Sequence, residues 1–273
     1  MKQQPIGIFD SGYGGLTVLK EITKKLPQYD YIYLGDNARS PYGTRSFDTV
    51  YEYTWQCVQW FFNQGCQLVI LACNTASAKA LRSIQQNNLN KIDPAKRVLG
   101  VIRPTTEIIG QFSNSGHIGV LATSGTVVSN SYPIEIQKFY PDAHVFQEAC
   151  PMWVSLVENN EYDKPGADYF IQKNIKNLLG QSGKIDTILL ACTHYPLLLE
   201  KIMKAVSSNI TVLSQGEIVA NSLEGYLQKH PEMERMCSKN GKISFYTTDS
   251  AEDFDSHAAI FYGKQVKSIH LNL

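Results

Sequence analysis

No sign of charge dominates this chain of 273 residues: Lys and Arg total 25, and Asp and Glu also total 25. Without a broad basic field it has no electrostatic means of gathering nucleic acid or an anionic membrane, and neither partner is expected. Long hydrophobic runs are missing too. The apolar stretches are strand-length, well short of the about 20 residues a membrane-spanning helix needs. Met1–Pro5 leads directly into the strand-like Ile6-Gly-Ile-Phe9, so no signal peptide and a cytoplasmic location are expected. None of the six cysteines forms a Cys-x-x-Cys pair, which argues against a zinc ribbon or a thioredoxin-type site. The glycines of Ser11-Gly-Tyr-Gly-Gly15 lack the G-x-G-x-x-G spacing of a dinucleotide fingerprint.

What the chain does have is one stretch written twice. Leu68-Val-Ile-Leu-Ala-Cys-Asn-Thr75 and Thr187-Ile-Leu-Leu-Ala-Cys-Thr-His194 are both apolar runs that end in Ala-Cys before a helical pattern begins. A cysteine at such a junction lies near backbone N–H donors and the positive end of a helix dipole, an arrangement expected to favour thiolate over thiol. Cys57, Cys66, Cys150 and Cys237 carry no such context and read as small buried hydrophobes.

Strands alternate with helices along the whole chain. Ile6–Asp10, Tyr29–Leu34, Gln67–Ala72, Arg97–Ile102, His117–Ala122, Ala143–Cys150, Thr187–Ala191, Ile210–Leu213, Ile243–Thr247 and Val266–Leu271 read as strands. A helix is expected over Ala76–Ile84, with Asn87–Pro94 as a polar loop after it. This alternation implies parallel sheets joined by right-handed crossovers. The duplicated cysteine strands imply two similar halves. The expected fold is therefore α/β: two similar α/β domains with mainly parallel sheets, facing each other across a cleft with pseudo-twofold symmetry. Residues 1–98 with 214–273 form the first domain and 99–213 the second, the last segment packing back on the first.

Two thiols on opposite walls of a cleft suit one chemistry. One sulfur removes a proton from a carbon and the other returns a proton to the opposite face, which inverts a stereocentre without a cofactor. Asp10 is placed to serve Cys73 as a proton partner, although its local sequence suits a helix N-cap equally well. His194 is placed to serve Cys192. Ser11, Asn74, Thr75 and Thr193 offer donors for a substrate carboxylate and for the charge that develops beside it. Asp10, Cys73, Cys192 and His194 are also a possible metal-ligand set, and a cysteine–histidine hydrolase is possible, but neither explains two matched strand ends.

Several motifs resemble the glutamate racemase family of the aspartate/glutamate racemase superfamily. They are Gly7-Ile-Phe-Asp-Ser-Gly-Tyr-Gly-Gly-Leu-Thr-Val18, Tyr33-Leu-Gly-Asp-Asn-Ala-Arg-Ser-Pro-Tyr-Gly43, Ala72-Cys-Asn-Thr-Ala-Ser77, Ala122-Thr-Ser-Gly-Thr-Val127, Ala149-Cys-Pro151 and Leu190-Ala-Cys-Thr-His-Tyr-Pro196. They follow in family order over nearly the whole chain. The resemblance implies cofactor-free interconversion of L- and D-glutamate, with Cys73 and Cys192 as bases and no metal. It implies Asp10 and His194 as helpers, with Glu148 a further helper on the Cys192 side. Substrate contacts carry over to Asp10, Ser11, Pro41, Tyr42, Gly43, Asn74, Thr75, Thr123, Thr126, Thr193 and His194. A bacterial cytoplasmic homodimer supplying D-glutamate for peptidoglycan is implied, and aspartate racemase is the nearest rival within the superfamily. A bilobed amino-acid-binding protein would keep the cleft without needing the thiols.

Two departures stand out. Ser214-Gln-Gly216 replaces a usually acidic turn, and the start at the first strand leads us to expect no cell-wall-precursor activator.

Overall fold

The structure is a computed structural model that describes residues 3–273. Ten strands alternate with helices. β1 (Ile6–Asp10), β2 (Tyr31–Gly35), β3 (Leu68–Leu71) and β4 (Arg97–Gly100) come first. β5 (His117–Ala122), β6 (His144–Ala149), β7 (Thr187–Ala191) and β8 (Thr211–Leu213) follow. β9 (Ile243–Thr247) and β10 (Ser268–His270) end the series. One sheet has the order β10-β9-β2-β1-β3-β4 and the other β6-β5-β7-β8. Every strand pair in both is parallel.

The expected duplication shows in the topology. The first four strands lie in the order β2-β1-β3-β4 and the next four in the order β6-β5-β7-β8, which is the same arrangement. In each, the chain leaves a central strand (β1 or β5), pairs to one side, then returns to pair on the other. Such a reversal opens a crevice at the carboxyl ends of the two strands that flank it, where open α/β sheets bind ligands. Asp10 closes β1 and Cys73 follows β3; Thr123 follows β5 and Cys192 follows β7.

β1, β2, β3 and β7 are buried along their full length, as parallel strands covered on both faces must be. The exposed positions fall on the edge strands β4, β6, β8 and β10 and on β9 next to β10. β9 and β10 extend the first sheet beyond β2. β4 closes the other edge of that sheet.

One expectation is corrected. Asn87–Pro94 is not a loop: a π-helical turn, Ile84–Leu89, leads into a helical turn at Asn90–Ile92. Ile84 and Leu89 are buried in the core under β3 and β4 while the intervening Gln and Asn residues face outward, so apolar anchoring overrides the weak helix propensity of the asparagines.

Candidate active site

Cys73 caps the helix Asn74–Lys79, its sulfur accepting from the Ala76 N–H at 3.4 Å and donating to the Ser11 hydroxyl at 3.5 Å. The junction does not make it a ready thiolate. Burial pushes the Cys73 thiol up to about 12, and the charge of Asp10 adds to this against the pull of Ser11 and Ala76. A six-residue helix supplies too little dipole to offset that desolvation. Asp10 is fully buried behind Cys73. One carboxylate oxygen accepts from the Gly12 N–H at 3.0 Å and the other has no partner. Burial raises the Asp10 carboxyl above its ordinary range, opposed by the charge of His194 and by backbone N–H groups. An N-cap role is excluded, since the helix Leu16–Lys25 has Gly15 at its cap with no side-chain bond.

On the other wall the groups form a relay. Cys192 Sγ lies 3.9 Å from His194 Nδ1, and His194 Nε2 lies 2.9 Å from Glu158 Oε1. Burial by itself would lower His194. Hydrogen bonds and charge from Cys192 and Glu158 outweigh it and lift the imidazole to about 10. The imidazole is therefore held charged at neutral pH, with Nδ1 toward the Cys192 sulfur and Nε2 toward Glu158.

Glu158 is the last residue of the helix Trp153–Glu158, and its carboxylate meets the His194 ring. The helix is pinned there by Trp153, fully buried with its ring edge-on to Tyr195 at 4.8 Å. His194 supplies the compensating charge. Glu158→Gln is expected to lower the His194 value from about 10, because it removes a raising charge. An NMR titration of the imidazole reads this directly. Charged His194 stabilises the fold fully below its unfolded value of 6.5, and that contribution is lost as pH rises through about 10. In Glu158→Gln the loss, followed by the thermal midpoint, still begins near 6.5 but is complete at lower pH and is smaller in total.

The sequence-derived contacts divide into groups. Ser11, Pro41, Tyr42, Gly43, Cys73, Asn74, Thr75, Thr123, Cys192, Thr193 and His194 line one cavity. Asp10 and Thr126 stand behind its wall, Thr126 Oγ1 lying 3.1 Å from Thr123 and 3.4 Å from Thr75. Thr75 and Thr123 meet at 2.9 Å, and the Gly125 N–H donates to the Gly43 carbonyl at 2.7 Å, so the two sheets' loops are tied together beside the cavity. The Tyr42 hydroxyl donates to Asp36, whose carboxylate also holds the Arg39 guanidinium at 2.7 Å, and this anchors the Pro41–Gly43 loop.

Glu148 is not brought to the thiols. Its carboxylate accepts from Asn174 at 2.7 Å and Asn177 at 3.0 Å, and the carboxylate that reaches His194 belongs to Glu158. Cys150 is buried as expected and also forms part of the cavity wall. Asp10, Cys73, Cys192 and His194 do not converge as metal ligands: among the described residues no three His, Cys, Asp or Glu side chains do. No helix among the described residues is long and apolar enough to cross a membrane.

Two parallel sheets of six and four strands that share one four-strand order, meeting at a cavity with a cysteine at each switch point, define a racemase-type α/β architecture. The chain belongs to the Asp/Glu/Hydantoin racemase family, whose model matches residues 11–223. Among its relatives is the glutamate racemase of Streptococcus gordonii, 35% identical over 273 residues and covering 100% of both chains. The crystal structure of a glutamate racemase isoform from Bacillus anthracis superposes with a TM-score of 0.90 at 32% identity, covering 100% of this chain and 99% of that one. The structure of the Francisella tularensis glutamate racemase in complex with D-glutamate gives 0.85 at 30% identity, covering 100% and 98%.

Proposed function

We propose that this chain racemises glutamate by two-base proton transfer, with Cys73 and Cys192 acting on opposite faces of Cα and no cofactor taking part. The observation that supports this reading is the pairing of the thiols: they follow corresponding strands of two sheets that share a four-strand order, line one cavity, and lie near different titratable groups, Asp10 and His194. One sulfur, as thiolate, takes the α-proton. The electron pair moves into the adjacent carboxylate, and the second sulfur, as thiol, delivers its proton to the other face. Each turnover leaves the two sulfurs with exchanged protonation states, and Asp10 and the His194–Glu158 relay restore them.

The raised Cys73 value gives the substrate a part in its own activation. The ammonium group of an entering amino acid brings positive charge into a buried cavity where Asp10 and a Cys73 thiolate would otherwise repel, and this favours ionisation on binding. The free enzyme is expected to alkylate at Cys73 only slowly at neutral pH, the rate rising toward about 12. Asp10→Asn moves that rise to lower pH, as mass spectrometry of the labelled peptide would show.

The reading carries with it a cytoplasmic homodimer that supplies D-glutamate for peptidoglycan synthesis. The test is incubation of chelator-treated protein with L-glutamate or L-aspartate in deuterated water. Loss of optical rotation with deuterium at Cα for glutamate supports the proposal. The same result confined to aspartate transfers it to that substrate. Absence of exchange with both, in folded and reduced protein, overturns it in favour of a binding protein.

A further inference from the structure

Behind the cavity, Asn74, Tyr132 and Gln215 form a closed ring of hydrogen bonds that ties both sheets together. Tyr132 donates to Asn74 Oδ1 at 2.5 Å, Asn74 Nδ2 donates to Gln215 Oε1 at 2.8 Å, and Gln215 Nε2 donates to the Tyr132 hydroxyl at 2.8 Å. All three side chains are buried. Asn74 follows β3 of the first sheet; Tyr132 and Gln215 follow β5 and β8 of the second.

The direction of every bond is chemically forced. Gln215 Nε2 faces the Val101 carbonyl at 3.2 Å, and a carbonyl can only accept. Its amide nitrogen must therefore point that way, one hydrogen going to the Tyr132 hydroxyl and the other to the side where Thr105 Oγ1 lies at 2.9 Å beside the Val101 carbonyl. Gln215 Oε1 is left facing Asn74, which has to offer its Nδ2. Asn74 Oδ1 then faces Tyr132, whose single hydroxyl hydrogen is committed to it. One backbone carbonyl thus sets the orientation of an amide two side chains away. Asn74 lines the cavity beside Cys73, and its second Nδ2 hydrogen is the donor the ring leaves unspent.

We infer that Gln215 and Tyr132 are positioning residues that hold the Asn74 amide so that this remaining N–H meets the substrate carboxylate. The inference rests on the proposed role of Asn74 as a substrate contact. The turn Ser214-Gln-Gly216, whose non-acidic character marked it in the sequence, thereby becomes part of the site's support.

The test is a double-mutant cycle on glutamate racemisation. Tyr132→Phe removes the donor to Asn74, and Gln215→Met removes its acceptor, each with little change of shape. Either is expected to lower kcat/KM about tenfold, the scale of one misdirected buried hydrogen bond. In an Asn74→Ala background the same substitutions should change it less than twofold. The side-chain amide proton signals of Asn74, followed by NMR with asparagine labelling, should move in both variants. An equal loss in both backgrounds, or unmoved Asn74 signals, overturns the inference and leaves the ring a merely structural tie. If Asn74→Ala alone leaves kcat/KM unchanged while Cys73→Ala abolishes it, the substrate-contact role of Asn74 fails and the inference falls with it. Loss of racemisation in neither variant would instead condemn the thiol reading. Should Tyr132→Phe or Gln215→Met lose its cooperative thermal transition, the other carries the cycle alone, since each removes one of the two bonds to the Asn74 amide.

Discussion

Cys73→Ala and Cys192→Ala are each expected to reduce glutamate racemisation by about 10³-fold or more, at the upper end of what a positioned proton-transfer group supplies. Each variant keeps one sulfur. That sulfur can still take the α-proton of the enantiomer whose hydrogen faces it and return solvent deuterium to the same face. Exchange without inversion is therefore expected in one enantiomer only, and the two variants should differ in which one. Proton NMR of the Cα resonance in deuterated water, with each enantiomer in turn, checks this. Retained turnover in both variants would sink the two-base reading, and exchange of the same enantiomer in both would sink the placement of the thiols on opposite faces.

Gly14→Ala is expected to cost about 10²-fold in kcat/KM, the scale on which small misplacements of catalytic groups are felt. A Cβ at this position would lie 2.2 Å from Thr193 Oγ1 and 2.4 Å from His194 Nδ1. Relief requires either the helix Leu16–Lys25 to withdraw or the Thr193–His194 pair to shift. The first is resisted by Thr17, whose hydroxyl donates to the Thr193 carbonyl at 2.9 Å. The second pulls His194 from Cys192 and from Glu158 together. The pH dependence of His194 should therefore change along with activity. Gly225→Ala, in a helix with open space around the added methyl, should leave both unchanged. Wild-type kinetics in Gly14→Ala would show that this crowding does not position the relay.

Much of this was legible without coordinates because it is local. The strand-and-junction pattern around Cys73 and Cys192 is written in adjacent residues: β-branched and apolar runs bury as parallel strands, and small polar residues end them. Repetition of the pattern pointed to two like halves, and four strands of each sheet share one order. Boundaries shifted by a few residues because pairing length depends on the neighbouring strand. The chain from Asn87 to Ile92 turned helical because Ile84 and Leu89 had a core to enter, which composition does not reveal.

The sequence by itself determined the element order, the parallel α/β class and the placement of one thiol at each of two strand ends. Only the tertiary structure decided which acid–base groups those thiols meet. Glu158, and not Glu148, reaches His194, because a buried tryptophan fixes the helix that ends in it. Desolvation beside Asp10, and not the helix dipole, governs Cys73. The Gln215 ring joins segments far apart in the chain. Burial and long-range juxtaposition are properties of packed surfaces, and no window along the chain encodes them.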